Sequence, residues 1–166
     1  MIKIVLLFSL FSACGLLGIN IGKAYTEKYD FYKELYMFCN NLKNDISFLK
    51  TDILSIIEKN NFKSKLANIL NDIKLLLKKN TLIKKNEILE ILDNYAFLNE
   101  QDKVCLSSIF SEIGTLGYEE ELAKIEYNIT NVEIIKNDYK QNKLKFAVAS
   151  KKIGFLVGLL VCIVLI

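Results

Sequence analysis

Phe62-Lys-Ser-Lys-Leu66-Ala-Asn-Ile69-Leu70-Asn-Asp72-Ile73-Lys-Leu-Leu76-Leu77 places apolar side chains at three- and four-residue spacing. That spacing draws one face of an α-helix, with Lys63, Lys65, Asn68, Asp72 and Lys74 on the rest of its circumference. Around this stretch no Gly occurs between Gly22 and Gly114, and no Pro occurs anywhere in the 166 residues. Strand-and-turn architectures need such punctuation, so the chain reads as all-α.

Further helical faces lie on both sides. Leu35, Phe38, Leu42, Ile46 and Leu49 form one, and Ile88, Leu89, Ile91, Leu92 and Tyr95 another. Asn99 followed by Asp102 is an N-cap with an acid at the third position. The helix it opens carries Cys105, Leu106, Ile109, Phe110 and Ile113, and Gly114 and Gly117 end it. A last helix starts near Tyr118, with Glu119, Glu120 and Glu121 in its first turn, where the helix dipole favours negative charge. Leu122, Ile125, Ile129, Val132 and Tyr139 continue one face, and nothing breaks the helix before Gly154.

The two ends are uncharged. Residues 4–22, bounded by Lys3 and Lys23, number 19. As a helix they reach ~28 Å, close to the ~30 Å of a hydrocarbon core. Residues 153–166, preceded by Lys151 and Lys152, number 14 and reach only ~21 Å. Residues 146–150 would lengthen that helix if the two lysines snorkel. Lys23, Lys28 and Lys33 follow the first segment, and Lys136, Lys140, Lys143, Lys145, Lys151 and Lys152 precede the second, against Lys3 alone on the outer flank. Positive charge beside a span favours the cytoplasm, which puts 23–152 inside the cell. The expected architecture is an antiparallel bundle of five to six helices flanked by N- and C-terminal membrane helices. Its parts are a transmembrane helix at 1–22, a cytoplasmic helical domain at 23–152 and a transmembrane segment at 153–166. Phe11-Ser12-Ala13-Cys14 offers an alternative, because it resembles a lipoprotein cleavage site in which Cys14 is lipidated and the chain is an extracytoplasmic binding module. The apolar run continues past Cys14, which favours a retained helix.

Composition narrows the chemistry. The chain has no His, and all 22 basic residues are Lys, so Arg is absent too. The usual general base and the bidentate phosphate clamp are therefore both missing, and the chain is expected not to be an enzyme. A net charge of +3 makes no case for nucleic acid. Tyr25, Tyr29, Phe31, Tyr32, Tyr36 and Phe38, interleaved with Lys28 and Lys33, read as a juxtamembrane belt or core. Cys14, Cys39, Cys105 and Cys162 form no Cys-x-x-Cys, so neither metal nor cofactor is expected. Cys39 and Cys105 read as buried thiols acting as small hydrophobes. Glu119, Glu120 and Glu121 serve the helix start, with partner docking as the alternative.

One motif carries a mechanism. Gly18-Ile-Asn20-Ile-Gly22 and Gly154-Phe-Leu-Val-Gly158 are both GxxxG patterns, one in each end segment. Small residues four apart let a second helix approach closely, and Asn20 adds a polar group at the same depth. Gly18, Asn20, Gly22, Gly154 and Gly158 are the expected membrane packing seam.

Lys23-Ala-Tyr25-Thr26-Glu27-Lys28 after the first segment resembles the Lys-x-Tyr-Thr-Glu-Arg stretch of the stage III sporulation protein AB family. Leu42-Lys-Asn-Asp45-Ile46-Ser-Phe48 is similar to that family's Leu-x-x-Glu-Ile-x-Tyr, and Leu116-Gly117 to its Leu-Gly before the last helix. Ile153-Gly154-Phe155-Leu156-Val157-Gly158-Leu159-Leu160 resembles its Leu-Gly-Phe-Leu-Ala-Gly-Leu-Leu ending. Two pieces depart: Thr51-Asp52-Ile53 stands where the family has Pro, and Tyr118-Glu119-Glu120-Glu121 replaces a Gln-rich pattern. The resemblance implies a helical domain similar to the F domain of the type II secretion inner-membrane platform. It implies a non-catalytic platform subunit of the mother-cell/forespore complex needed for endospore formation. The implied location is the mother-cell membrane around the forespore. The implied partners are a secretion-type ATPase of the same sporulation operon and sister membrane subunits.

Overall fold

A computed structural model describes residues 2–49, 53–59, 62–79, 84–111 and 117–165, with side chains from residue 8 onward except 46–49, 53, 147, 148, 151, 162 and 165. Among the described residues every regular element is a helix. In order they are α1 (Ile2–Leu49), α2 (Ile53–Lys59), α3 (Lys65–Lys79), α4 (Lys85–Asp93), α5 (Glu100–Ser111) and α6 (Tyr118–Leu165). The first and last are each 48 residues long, because nothing in either sequence breaks a helix where the apolar end meets the charged middle.

Two compact units divide the chain, one of residues 1–30 with 137–166 and one of residues 31–136. Both draw on α1 and α6. Their borders differ from the apolar-to-polar borders at 22/23 and 152/153, since helix pairing continues beyond the uncharged stretches.

The unit 31–136 has a conventional core. Phe31, Tyr32, Leu35, Phe38, Cys39 and Leu42 of α1 are buried, with Leu66, Ile69, Leu70 and Ile73 of α3 and Leu106, Ile109 and Phe110 of α5. Phe38 sits 5.7 Å from Phe110 and 6.3 Å from Phe62 between ring centroids. Phe31 meets Phe97 edge-on at 5.2 Å. Phe62 and Tyr95, which periodicity placed on helical faces, lie just outside α3 and α4 and still reach this layer or its margin. Sequence periodicity gave no helix at 53–59. There α2 buries Ile56 and Ile57.

Helix starts are fixed by side chains that capture open N–H groups. Glu34 on α1 accepts from the backbone N–H groups of Lys63 (3.2 Å) and Ser64 (3.0 Å), and Ser64 Oγ accepts from Leu66 N–H, together opening α3. At α5 the Asn99/Asp102 cap is reciprocal. Asn99 Oδ1 accepts from Asp102 N–H at 2.8 Å and Asp102 Oδ2 from Asn99 N–H at 2.9 Å. Gly114, expected to end α5, lies outside the described residues; Gly117 accepts from Glu121 N–H at the start of α6.

Among the described residues no helix is long and apolar enough to cross a membrane. The expected N-terminal span begins at Ile4, four residues before the first described side chain, and Ala147, Val148, Lys151, Cys162, Leu165 and Ile166 fall outside the described side chains as well.

Candidate functional site

In the unit 1–30/137–166 the two helices approach closely at glycine. A Cβ added to Gly18 would stand 2.5 Å from the Ser150 carbonyl oxygen and 3.2 Å from Gly154 Cα. One added to Gly154 would stand 2.8 Å from the Cys14 carbonyl oxygen and 3.1 Å from Gly18 Cα. Real side chains do not approach backbone that closely, so the two helices meet backbone to backbone at this point. One turn on, Gly158 makes room for Phe11, whose Cδ2 would lie 2.9 Å from an added Cβ. Phe11 also meets Phe155 edge-on at 5.3 Å. Beyond the glycines, Tyr25 stacks on Phe146 at 5.3 Å, Lys28 lies over the Tyr139 ring, and Lys143 lies over Tyr29 and pairs with Asp30 at 3.5 Å. These contacts fix an antiparallel register.

Asn20 and Gly22 complete the expected seam residues. Asn20 is exposed. It stands two residues from Gly18 and two from Gly22, about 200° round the helix from each, so it shares their depth and not their face. Gly22 is buried and its carbonyl accepts from Thr26 Oγ1 at 3.1 Å. Gly15, which no motif singled out, has nothing within 4 Å of an added Cβ.

Outside the seam many large apolar side chains are exposed. Phe8 (73% exposed), Leu16, Leu17, Ile19, Ile21, Ile153, Leu156, Leu160 (63%), Ile163 and Val164 (74%) all face outward. Of the family-motif residues, Lys23 and Glu27 are exposed, Phe155 joins the seam through Phe11, and Leu156 belongs to this sheath. Asp45 is half-buried, whereas the side chain of Ile46 and the whole of Leu116 lie outside the described residues.

In the unit 31–136 a buried polar pin joins α1 to α5. The Tyr32 hydroxyl donates to Asp102 Oδ1, and both residues are buried, Asp102 at 3% exposure. A carboxylate at that depth needs such partners, and its second oxygen is the one that caps α5. Sequence reading found the cap and missed Tyr32, because its partner lies 70 positions away.

Nucleophiles are weak here. Burial pushes the Cys39 thiol up to about 12 and that of Cys105 up to about 11, so both stay protonated at neutral pH. Cys14, Cys39 and Cys105 carry free thiols. Cys105 borders a cavity of about 620 Å³ lined also by Gln101, Val104, Tyr127, Asn128 and Ile134. Among the described residues no group of His, Cys, Asp and Glu could hold a metal ion. Glu119 and Glu120 are exposed in the first turn of α6 and Glu121 is half-buried there, its N–H donating to the Gly117 carbonyl at 2.8 Å.

A comparison with protein families matches residues 3–166 to the model for stage III sporulation protein AB. No curated protein and no solved structure matches the chain. The match covers all but the first two residues and includes both helix-pair segments and the helical middle, so the chain belongs to the stage III sporulation protein AB family.

Proposed function

We propose that residues 4–22 and 153–166 form an antiparallel membrane hairpin and that residues 23–152 are a cytoplasmic platform. In this view the protein works by contact during endospore formation. It couples a secretion-type ATPase to sister membrane subunits of the mother-cell/forespore complex, and catalyses nothing itself. Sporulation is the setting that family membership gives. The observation that supports the membrane part is the inside-out packing of the helix pair. Glycines lie in the seam and large apolar side chains face outward. In water that surface would be a large exposed apolar patch; in lipid it is matched to its solvent. Two helices entering one bilayer from the same domain also restrict its rotation, which suits a part that holds partners in register.

The alternative, a lipoprotein lipidated at Cys14, removes residues 1–13. Phe11 would go with them, leaving Gly158 without the ring that fills its notch. A radiolabelled fatty acid incorporated at Cys14 would support that alternative.

Gene deletion tests the functional half. Vegetative growth should be normal, spores should arrest, and affinity purification from sporulating cells should recover the ATPase and membrane subunits with the tagged chain. Normal spore formation by the deletion strain, with no paralogue present, would contradict the proposal.

A further inference from the structure

Charge is distributed unevenly between the two units. Residues 1–30 with 137–166 contain eight lysines against three acids, a balance of +5, whereas residues 31–136 contain 14 lysines against 16 acids, −2. The three acids of the first unit are already engaged. Asp30 pairs with Lys143, Asp138 Oδ2 accepts from Asn142 Nδ2, and Glu27 also has a partner. Lys23, Lys140, Lys145 and Lys152 are all exposed.

The register of the helix pair places them. Tyr25 stacks on Phe146, so Lys145 stands level with Tyr25; Gly18 meets Ser150, so Lys152, two residues on, stands level with Gly18 or beyond it. Lys152 therefore sits inside the depth range of α1's uncharged run. Lys23 is five residues from Gly18, about 7 Å along the axis. Lys145 and Lys152 are seven residues apart on α6, about 10 Å along the axis, and Lys23 stands between their levels, so the flexible lysine stems can bring all three ammonium groups toward one headgroup layer. Lys140 lies farther out. Exposed apolar side chains interleave with the lysines: Ile19, Ile21, Leu144, Phe146 and Ile153. A water-facing basic patch has no reason to alternate with exposed Ile and Phe, but a surface lying in the headgroup layer does.

We infer that these lysines form a collar that binds the phosphates of anionic phospholipids, so that the hairpin gathers such lipids around itself. This rests on the membrane hairpin proposed above and adds lipid selectivity to it. Charge complementarity names the ligand: each lysine at an anionic surface contributes about a five-fold preference, less as salt rises.

The test uses the full chain in nanodiscs with equal phosphatidylglycerol and phosphatidylcholine, and native mass spectrometry counts the lipids retained on release. The chain should hold phosphatidylglycerol over phosphatidylcholine by about ten-fold or more in low salt. Changing Lys23, Lys140, Lys145 and Lys152 together to Gln should bring the ratio within about two-fold of parity. The same four changed to Arg should keep it. Gln at Lys63, Lys65, Lys78 and Lys79 should leave it unchanged. Equal retention by the unaltered chain, or a Gln variant that keeps the preference, would overturn the inference. Extraction of the chain from vesicles by alkaline carbonate would instead overturn the hairpin itself. A chain that resists extraction yet shows no preference refutes the collar alone.

Discussion

In the helix pair of residues 1–30 with 137–166 the small residues face in and the large apolar ones face out. In residues 31–136 it is the reverse, with Phe31, Phe38, Leu66 and Ile73 inside and, Asp102 apart, the described lysines and acids half-buried or exposed. The same two helices, α1 and α6, take part in both arrangements. Under the membrane hairpin proposed above, the difference follows from the solvent each part meets. An inward apolar core gains stability from the hydrophobic effect in water. A glycine seam buries little apolar area and gains from backbone contact, which suffices where lipid removes the competing drive.

The largest expected effect is in the aqueous core. Phe38→Ala should cost about 3–5 kcal/mol of the stability of residues 31–136, because it empties space between Phe62 and Phe110. Chemical unfolding of the full chain in detergent measures this. A loss under about 1 kcal/mol would mean that this unit is not packed by its core.

Next comes the seam. Gly18→Leu or Gly154→Leu should weaken helix pairing by about 1–3 kcal/mol, while Gly15→Leu should change it by less than about 0.5 kcal/mol. The contrast follows from backbone 2.5 and 2.8 Å from the added atom in the first two and open space in the third. Disulfide cross-linking between cysteines placed at positions 25 and 146 reports the pairing. If all three variants pair alike, the glycines are no more than membrane composition.

The buried pin sharpens the comparison, because in the core of residues 31–136 a carboxylate withdrawn from water is satisfied by protein donors. Asp102→Ala removes the acceptor of both the Tyr32 hydroxyl and the Asn99 N–H, and should cost about 1–3 kcal/mol. Tyr32→Phe should cost less than Asp102→Ala, since it leaves the α5 cap in place.

The smallest effect is on pH. Burial raises the Cys39 and Cys105 thiols from an ordinary 9.0 to about 12 and about 11. Both states are protonated below pH 9, so the thiols add no pH dependence there. Above it the unfolded chain loses those protons first, and stability falls as pH rises through 9 to 12. Unfolding midpoints at pH 8 and pH 10.5 should differ less in Cys39→Ala/Cys105→Ala, and that variant should still sporulate. A midpoint difference unchanged by the substitution would show that other groups set the alkaline limit.

How much of this was legible depended on the range of each interaction. The stripe at 62–77 and the Asn99/Asp102 cap are local, and both are readable where they stand. The helix at 53–59 is only seven residues, too short for a 3.6-residue period to repeat convincingly. The Tyr32–Asp102 bond joins positions 70 apart, and periodicity reports a face without naming what covers it. The GxxxG pair showed which residues are small enough for a seam. It could not show that Gly154 meets Gly18 while Gly158 meets Phe11, since that depends on register between helices more than a hundred residues apart.

The central claim is that the helix pair is a membrane hairpin with the middle of the chain inside the cell. The most direct measurement is thiol accessibility, in a bacterial host where the chain enters the plasma membrane. Cys14, Cys39, Cys105 and Cys162 are replaced by Ala, and a single cysteine is introduced as Lys3→Cys or as Lys78→Cys. A membrane-impermeant thiol reagent should label Lys3→Cys in intact cells and leave Lys78→Cys unlabelled until the cells are permeabilised. Ready labelling of Lys78→Cys in intact cells would contradict the account.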